Sequence, residues 1–313
     1  MTAQPRSISP FKRVTGLVLI LAGAGLFLLA LSGRNLSLRN PEIYDLNKGT
    51  PFGVSLTYKE FLKRLPRRAG EGDENYAVQL NRLVNQAMAH YWDGPDPEKF
   101  NIVLSARENW LIWLDQSDET DPRYEFKDPY KAVERGVGFC SQESLALYGF
   151  LKMAGIEAQV IKLGGHVVVR ARVNPSKWLV LDPDYGVGIP YDISEIEKKP
   201  EIIAPYYKKA GFGDGEISRL KDVYGPDKNE VWDFDIATRW RDWLFNHDAR
   251  KYVEEQRRYC LIWAIPAFLA ALGLFMQTGV CVLEAGCERR ETAFEIAAKS
   301  IKTKVKRKRN AKF

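Results

Sequence analysis

The chain has 313 residues, 45% of them hydrophobic and 27% charged, with a formal net charge of +6. That length holds one good-sized domain with additions, and a mean hydropathy of −0.30 is low for a polytopic membrane protein, so most of the chain lies outside any membrane-spanning segment. The basic excess sits at the two ends, so it is no argument for a nucleic-acid-binding fold.

In chain order, residues 1–14 form a short basic N-terminus carrying Arg6, Lys12 and Arg13 without an acid. Thr15 to Ser32 is uncharged and rich in Leu, Ala and Gly. About 18 such residues cross a hydrocarbon core of about 30 Å at about 1.5 Å per helical residue. Ala30-Leu31-Ser32 resembles a signal-peptide cleavage site, but the apolar run is long for a signal sequence, so a retained span is expected. Residues 33–100 read as an extended polar linker to Pro51, followed by the first helices of a domain. Tyr58 to Leu65 is predicted helical, with Thr57 and Glu60 as a capping box. Glu74 to Tyr91 is a stronger helix, apolar at Tyr76, Leu80, Leu83, Val84 and Met88. His90 at its end reads as a core or interfacial histidine.

Residues 101–191 form the predicted core. Asn101 to Leu114 is expected to be helical, with Trp110 and Trp113 on one face, and Asp115 to Tyr130 to be a charged loop. Ser141 to Ala154 is an apolar helix ended by Gly155. Three strands follow, Glu157 to Leu163, His166 to Val173 and Lys177 to Leu181, with an edge strand at Val187 to Tyr191 because Pro190 cannot donate to a ladder. A helix followed by an antiparallel meander is an α+β pattern. Residues 192–259 read as a helical extension: Ile193 to Lys199, Ile217 to Val223, and a helix from Phe234 leading into the membrane. Residues 260–283 are a second uncharged run, long enough to span, and 284–313 a tail with ten Lys or Arg against four Glu. By the positive-inside rule both termini are expected in the cytoplasm and the central domain outside it. The tail is suited to anionic lipid. No aromatic residues interleave its terminal basic run, so no nucleic-acid partner is expected.

Chemistry concentrates at Gly136-Val137-Gly138-Phe139-Cys140, where a glycine-rich loop runs into the Ser141 helix. His166 follows about 26 residues later at the start of a strand, and Asp182 about 16 later at the end of the next. Cys, His, Asp in that order fits a nucleophile, its general base and an acid that orients the base. A helix N-terminus and an imidazolium both favour a thiolate. Cys140 is the only cysteine of the exported stretch; Cys260, Cys281 and Cys287 lie at the ends of the second span, so Cys140 has no evident disulfide partner. The three histidines have no zinc spacing, and Gly211-Phe212-Gly213 lacks the Lys-Ser/Thr of a phosphate loop. No cofactor and no metal is expected. His247, among charged residues, reads as solvated.

Four stretches together carry a family resemblance: Gly138-Phe139-Cys140 opening the helix, Leu151 to Ala158 as the helix-to-strand turn, Gly165-His166 opening a strand, and Trp178-Leu179-Val180-Leu181-Asp182-Pro183. Over about a quarter of the chain the sequence resembles the transglutaminase-like branch of the papain-like cysteine enzymes. The resemblance implies a helix packed on an antiparallel sheet, with Cys140, His166 and Asp182 as nucleophile, base and orienting acid. It also implies an upstream side chain at the oxyanion, for which Asn109 and Trp110 are candidates. Two positions depart from the family's pattern: Val167 follows the histidine where Ala-Trp is frequent, and Asp184 stands where Thr is common after Asp-Pro. The implied activity is thiol-mediated acyl transfer on a protein or peptide amide, with hydrolysis expected first. The implied setting is a bacterial inner membrane with a periplasmic domain. The rival expectation, suggested by two anchors where tethering needs one, is an accessory subunit of an envelope assembly such as a polysaccharide synthesis or protein-export complex, its triad idle.

Overall fold

A computed structural model describes residues 9–92, 96–116, 123–225, 229–232 and 251–278. The fold mixes helices with an antiparallel sheet, and two of its helices are long and apolar enough to cross a membrane: α1 (Pro10–Gly33) and α10 (Lys251–Thr278). The chain divides into two compact units, Ser32–Cys260 and the remainder.

In the apolar unit α1 and α10 meet antiparallel through small residues. A Cβ on Gly23 would fall 2.6 Å from the Pro266 carbonyl oxygen and 2.9 Å from Ala270 N, so only glycine permits this approach. Phe27 closes edge-on against Trp263 at 5.6 Å.

The larger unit begins with a 3₁₀ turn at Pro41–Tyr44, then α2 (Tyr58–Arg64) and α3 (Asp73–Ala87). The Thr57–Glu60 capping box is formed in both directions. The strand β1 (Ala89–His90), helices α4 (Ala106–Gln116) and α5 (Pro129–Arg135), and strand β2 (Val137–Gly138) lead to α6 (Cys140–Met153). Strands β3 (Glu157–Leu163), β4 (His166–Asn174), β5 (Lys177–Asp182) and β6 (Val187–Ile189) form the expected meander. Helices α7 (Ile193–Lys198), α8 (Ala204–Lys209) and α9 (Asp214–Val223) follow, and β7 (Glu230–Trp232) pairs with β3. The sheet order is β6-β5-β4-β3-β7.

The sheet is buried on both faces, and strand alternation divides its residues between two cores. Ala158, Val160, Val169, Ala171, Leu179 and Leu181 pack with α3 and α6; Ile161, Val168 and Val180 face the opposite way, with Ile196 of α7, Tyr207 of α8 and Leu220 of α9. The resulting order is helices, sheet, helices.

Four expectations are corrected. The supposed linker contains Ile43, fully buried, and Arg39, which is nine-tenths buried. Arg39 donates to the carbonyls of Leu56, Ala87, Val133 and Glu134 and to the Tyr44 hydroxyl, using all five guanidinium N–H groups. The helix expected to reach Tyr91 stops at Ala87, because Ala89 and His90 pair in parallel with Val137 and Gly138. The charged loop ends in α5, started by Asp128 as cap and Pro129 at the first turn, and closed by Gly136 at φ +73°. A side chain at Gly136 would be strained by that φ and would collide with the Arg39 guanidinium. Finally, α4 begins at Ala106 rather than Asn101 and is interrupted at Asn109 (φ −158°, ψ 101°). The helix expected from Phe234, and His247 within it, lie outside the described residues up to Lys251.

Candidate active site

Cys140 is the first residue of α6 and a half-buried free thiol. Its position is fixed from both sides. Upstream, Gln142 Oε1 accepts from Phe126 N (2.7 Å) and Arg135 Nη2 (2.7 Å), while its amide donates to Phe126 O (2.9 Å). One turn inward, Ser144 Oγ donates to Val167 O at 2.9 Å, pinning α6 to the residue after His166.

The sheet register delivers the other two residues. Val169 pairs with Leu181, so one step on Val168 lies opposite Asp182, and His166 is the diagonal neighbour of Asp182 on one face. His166 Nε2 lies 2.9 Å from Asp182 Oδ2, with both residues buried. Cys140 acts on the imidazole electrostatically as well. Burial pulls the His166 pKa down, but the charge and hydrogen bond of Asp182 and the influence of Cys140 outweigh it and hold the ring well above its ordinary range. The imidazole and carboxylate singled out in the sequence are therefore in direct contact, and the thiol lies near enough to act on the ring.

Asp182 is held in turn. Tyr207 Oη donates to its Oδ2 at 2.6 Å and the Tyr185 amide reaches Oδ1 at 3.3 Å. Tyr207 and Tyr224 share a hydroxyl contact of 3.1 Å, and burial, with the Asp182 charge, raises both phenols. The Tyr185 ring stands edge-on to His166 at 5.5 Å, its hydroxyl tied to Glu216 and Arg219 of α9.

Sequence reasoning missed a second cluster beside this one. His90 Nδ1 lies 2.6 Å from Asp184 Oδ1, while Asp184 Oδ2 is 4.0 Å from His166 Nδ1. Glu143, three residues after Cys140 and so on the same side of α6, is buried at 1% exposure with Oε2 unpartnered. Burial, then the charges of Asp184, Asp182 and Cys140, push its carboxyl well above the usual range. The helical spacing of Cys140 and Glu143 was a usable signal; nothing local linked His90 to Asp184, about 94 residues away.

Asn109 and Trp110 lie in the interrupted helix α4. Asn109 Oδ1 accepts from the amides of Leu111 and Ile112, at 3.1 Å each. Asn109 Nδ2 and Trp110 Nε1 are buried without a hydrogen-bond partner, so neither bonds to Cys140, His166 or Asp182.

No family model matches the chain, and no curated protein matches it.

Proposed function

We propose that the protein is a membrane-anchored cysteine enzyme of the transglutaminase-like type, acting on an amide bond of a protein or peptide. The observation that carries this reading is the buried His166–Asp182 hydrogen bond beside the Cys140 thiol, which sits at the start of α6 and acts on the His166 ring. The helix behind it and the antiparallel sheet beside it accord with a transglutaminase-like core.

In the proposed reaction Cys140 Sγ, as thiolate, attacks the amide carbonyl carbon and a C–S bond forms. The oxyanion is met by the backbone N–H of Cys140 at the open end of α6. Asn109, fully buried, is a poorer donor for that role than the sequence suggested. His166 gives its proton to the amide nitrogen, the C–N bond breaks and the amine leaves. Neutral His166 then takes a proton from water as its oxygen attacks the thioester, and C–S cleavage releases the acid and restores the thiolate. An amine in place of water would give cross-linking by the same steps. The paired basic ends support cytoplasmic termini and a periplasmic domain in a bacterial inner membrane.

The test is reaction of the full chain in detergent with a thiol-directed amide probe, read peptide by peptide so that exposed Cys260 is counted separately. Cys140 should label faster than in denatured protein, and His166→Ala should slow it at least about a hundredfold, the lower end of general acid–base contributions. Slow labelling indifferent to His166→Ala, with Cys140→Ser complementing fully in cells, would overturn catalysis in favour of an accessory role in an envelope assembly. A reporter fused near Lys209 tests the topology; cytoplasmic activity there contradicts it.

A further inference from the structure

The cluster next to the triad has a composition that the proposed acyl transfer does not use. One ring nitrogen of His90 and one oxygen each of Glu143 and Asp184 lie within 4.8 Å of one another. They come from β1, from the first turn of α6 and from the turn after β5. All three residues are more than nine-tenths buried, at 7%, 1% and 2% exposure.

Of the three, only His90 and Asp184 satisfy each other. Glu143 puts one carboxylate oxygen into the cluster, and its Oε2 is buried with no hydrogen-bond donor. A buried carboxylate oxygen without a partner is costly. Here the cost is compounded, because Asp182 and Asp184 lie near enough to oppose a charge on Glu143. The pocket therefore gathers more acceptors than donors, and a cation would supply what is missing. The Trp92 ring lies against His90, tilted by 38° with ring centroids 3.9 Å apart.

We propose that His90, Glu143 and Asp184 form a binding site for one first-row divalent cation of the zinc class. One imidazole and two carboxylates suit Zn²⁺ and its neighbours, whereas Ca²⁺ asks for six to eight oxygens and Mg²⁺ retains most of its waters. Donors around such an ion, with bonds of about 2.1 Å, stand roughly 3.4 Å apart. The 2.6 Å contact of His90 with Asp184 opens as the ion enters, and the wider separations close. His90 offers its Nδ1 lone pair, its remaining proton on Nε2, so any proton on Nδ1 or on Glu143 is released to solvent. Three protein ligands leave one position for water or for a group from the substrate. The site is independent of the thiol reading, since Cys140 is not among its donors.

The experiment is a titration of tag-free full chain in detergent, stripped by a chelator, with Zn²⁺ and with Co²⁺ as the spectroscopic probe. One equivalent should bind, equally in the unmodified chain and in Cys140→Ser, with an X-ray absorption shell of nitrogen and oxygen only. His90→Ala and the isosteric Glu143→Gln should each weaken binding at least about tenfold. Absence of a stoichiometric equivalent overturns the proposal, as does a sulfur in the metal's shell. So does undiminished binding in any of His90→Ala, Glu143→Gln or Asp184→Asn that keeps the parent's circular dichroism. Loss of thiol reactivity with metal binding intact would count against the enzyme reading alone.

Discussion

Asp182 touches three groups and has two tasks: it orients His166 and it charges the surroundings of the ring. Tyr207 and the Tyr185 amide fix its oxygens, so its orientation comes from α8 and the turn after β5. Its charge is a large part of what keeps His166 protonated above the ordinary histidine range. A histidine whose folded pKa is raised contributes stability that is fully present below the unfolded value, near 6.5, and is lost as pH rises through the folded value. Asp182→Asn keeps the shape and removes the charge, so His166 should titrate at lower pH in that variant. The readout is imidazole NMR on metal-stripped full chain, with the His166 signal identified by its loss in His166→Ala. A parent His166 titrating near 6.5, unmoved by Asp182→Asn, would show that the contact carries little electrostatic weight. The places of Cys140, His166 and Asp182 in the fold were legible in the sequence, because each opens or closes a regular element near a glycine or a proline. Tyr207 and His90 were not, because their partners are set by which elements pack together.

At the scale of elements, α6 is positioned by the segment in front of it. Glu125 accepts from Ser141, Phe126 is paired with Gln142, and Asp128 caps α5. That segment is held at its other side by Glu255 of α10, whose carboxylate takes the Tyr124 hydroxyl (2.7 Å) and the amides of Lys127 (2.9 Å) and Asp128 (2.8 Å). Glu255 is 2% exposed. Removing it leaves three part-buried donors unpaired, each worth up to about 1–3 kcal/mol when unsatisfied. Glu255→Ala should therefore destabilise the chain by at least about 2 kcal/mol in denaturant titrations, and Glu255→Gln by less, since the amide oxygen still accepts. Equal stability of Glu255→Ala and parent would mean that water replaces the carboxylate. The meander of four strands was legible to within a residue or two, since alternation and Gly-Pro punctuation mark it. The end of α3 was misread for a physical reason: the apolar spacing of a helix continues through Met88, but parallel pairing of β1 with β2 takes the next residues.

At the scale of the whole molecule, the sequence shows two apolar segments and a mixed helix-and-sheet domain between them; the structure has that domain and two helices long and apolar enough to cross a membrane. What it hid was how early the domain begins. Polar residues and prolines between Gly33 and Pro51 look like tether, yet Arg39 inserts among carbonyls of α3 and α5 and the loop before α2. Composition cannot report this, because a buried arginine saturated by backbone reads like an exposed one. Arg39→Lys offers three donors on a point charge in place of a five-donor fork. It should lower stability by about 2–3 kcal/mol in the full chain, measured by the denaturant midpoint; a shift under about 0.5 kcal/mol, typical of surface substitutions, would contradict the clamp.

The same arginine decides where the chain can be cut. A soluble fragment begun at Tyr58, the first helix that sequence inspection trusts, would leave the carbonyls of Ala87, Val133 and Glu134 without their donor and uncover the groove that Ile43 fills. A fragment begun at Ser32 keeps the clamp whole. Expression trials, crystallisation and inhibitor screening all turn on that choice of first residue.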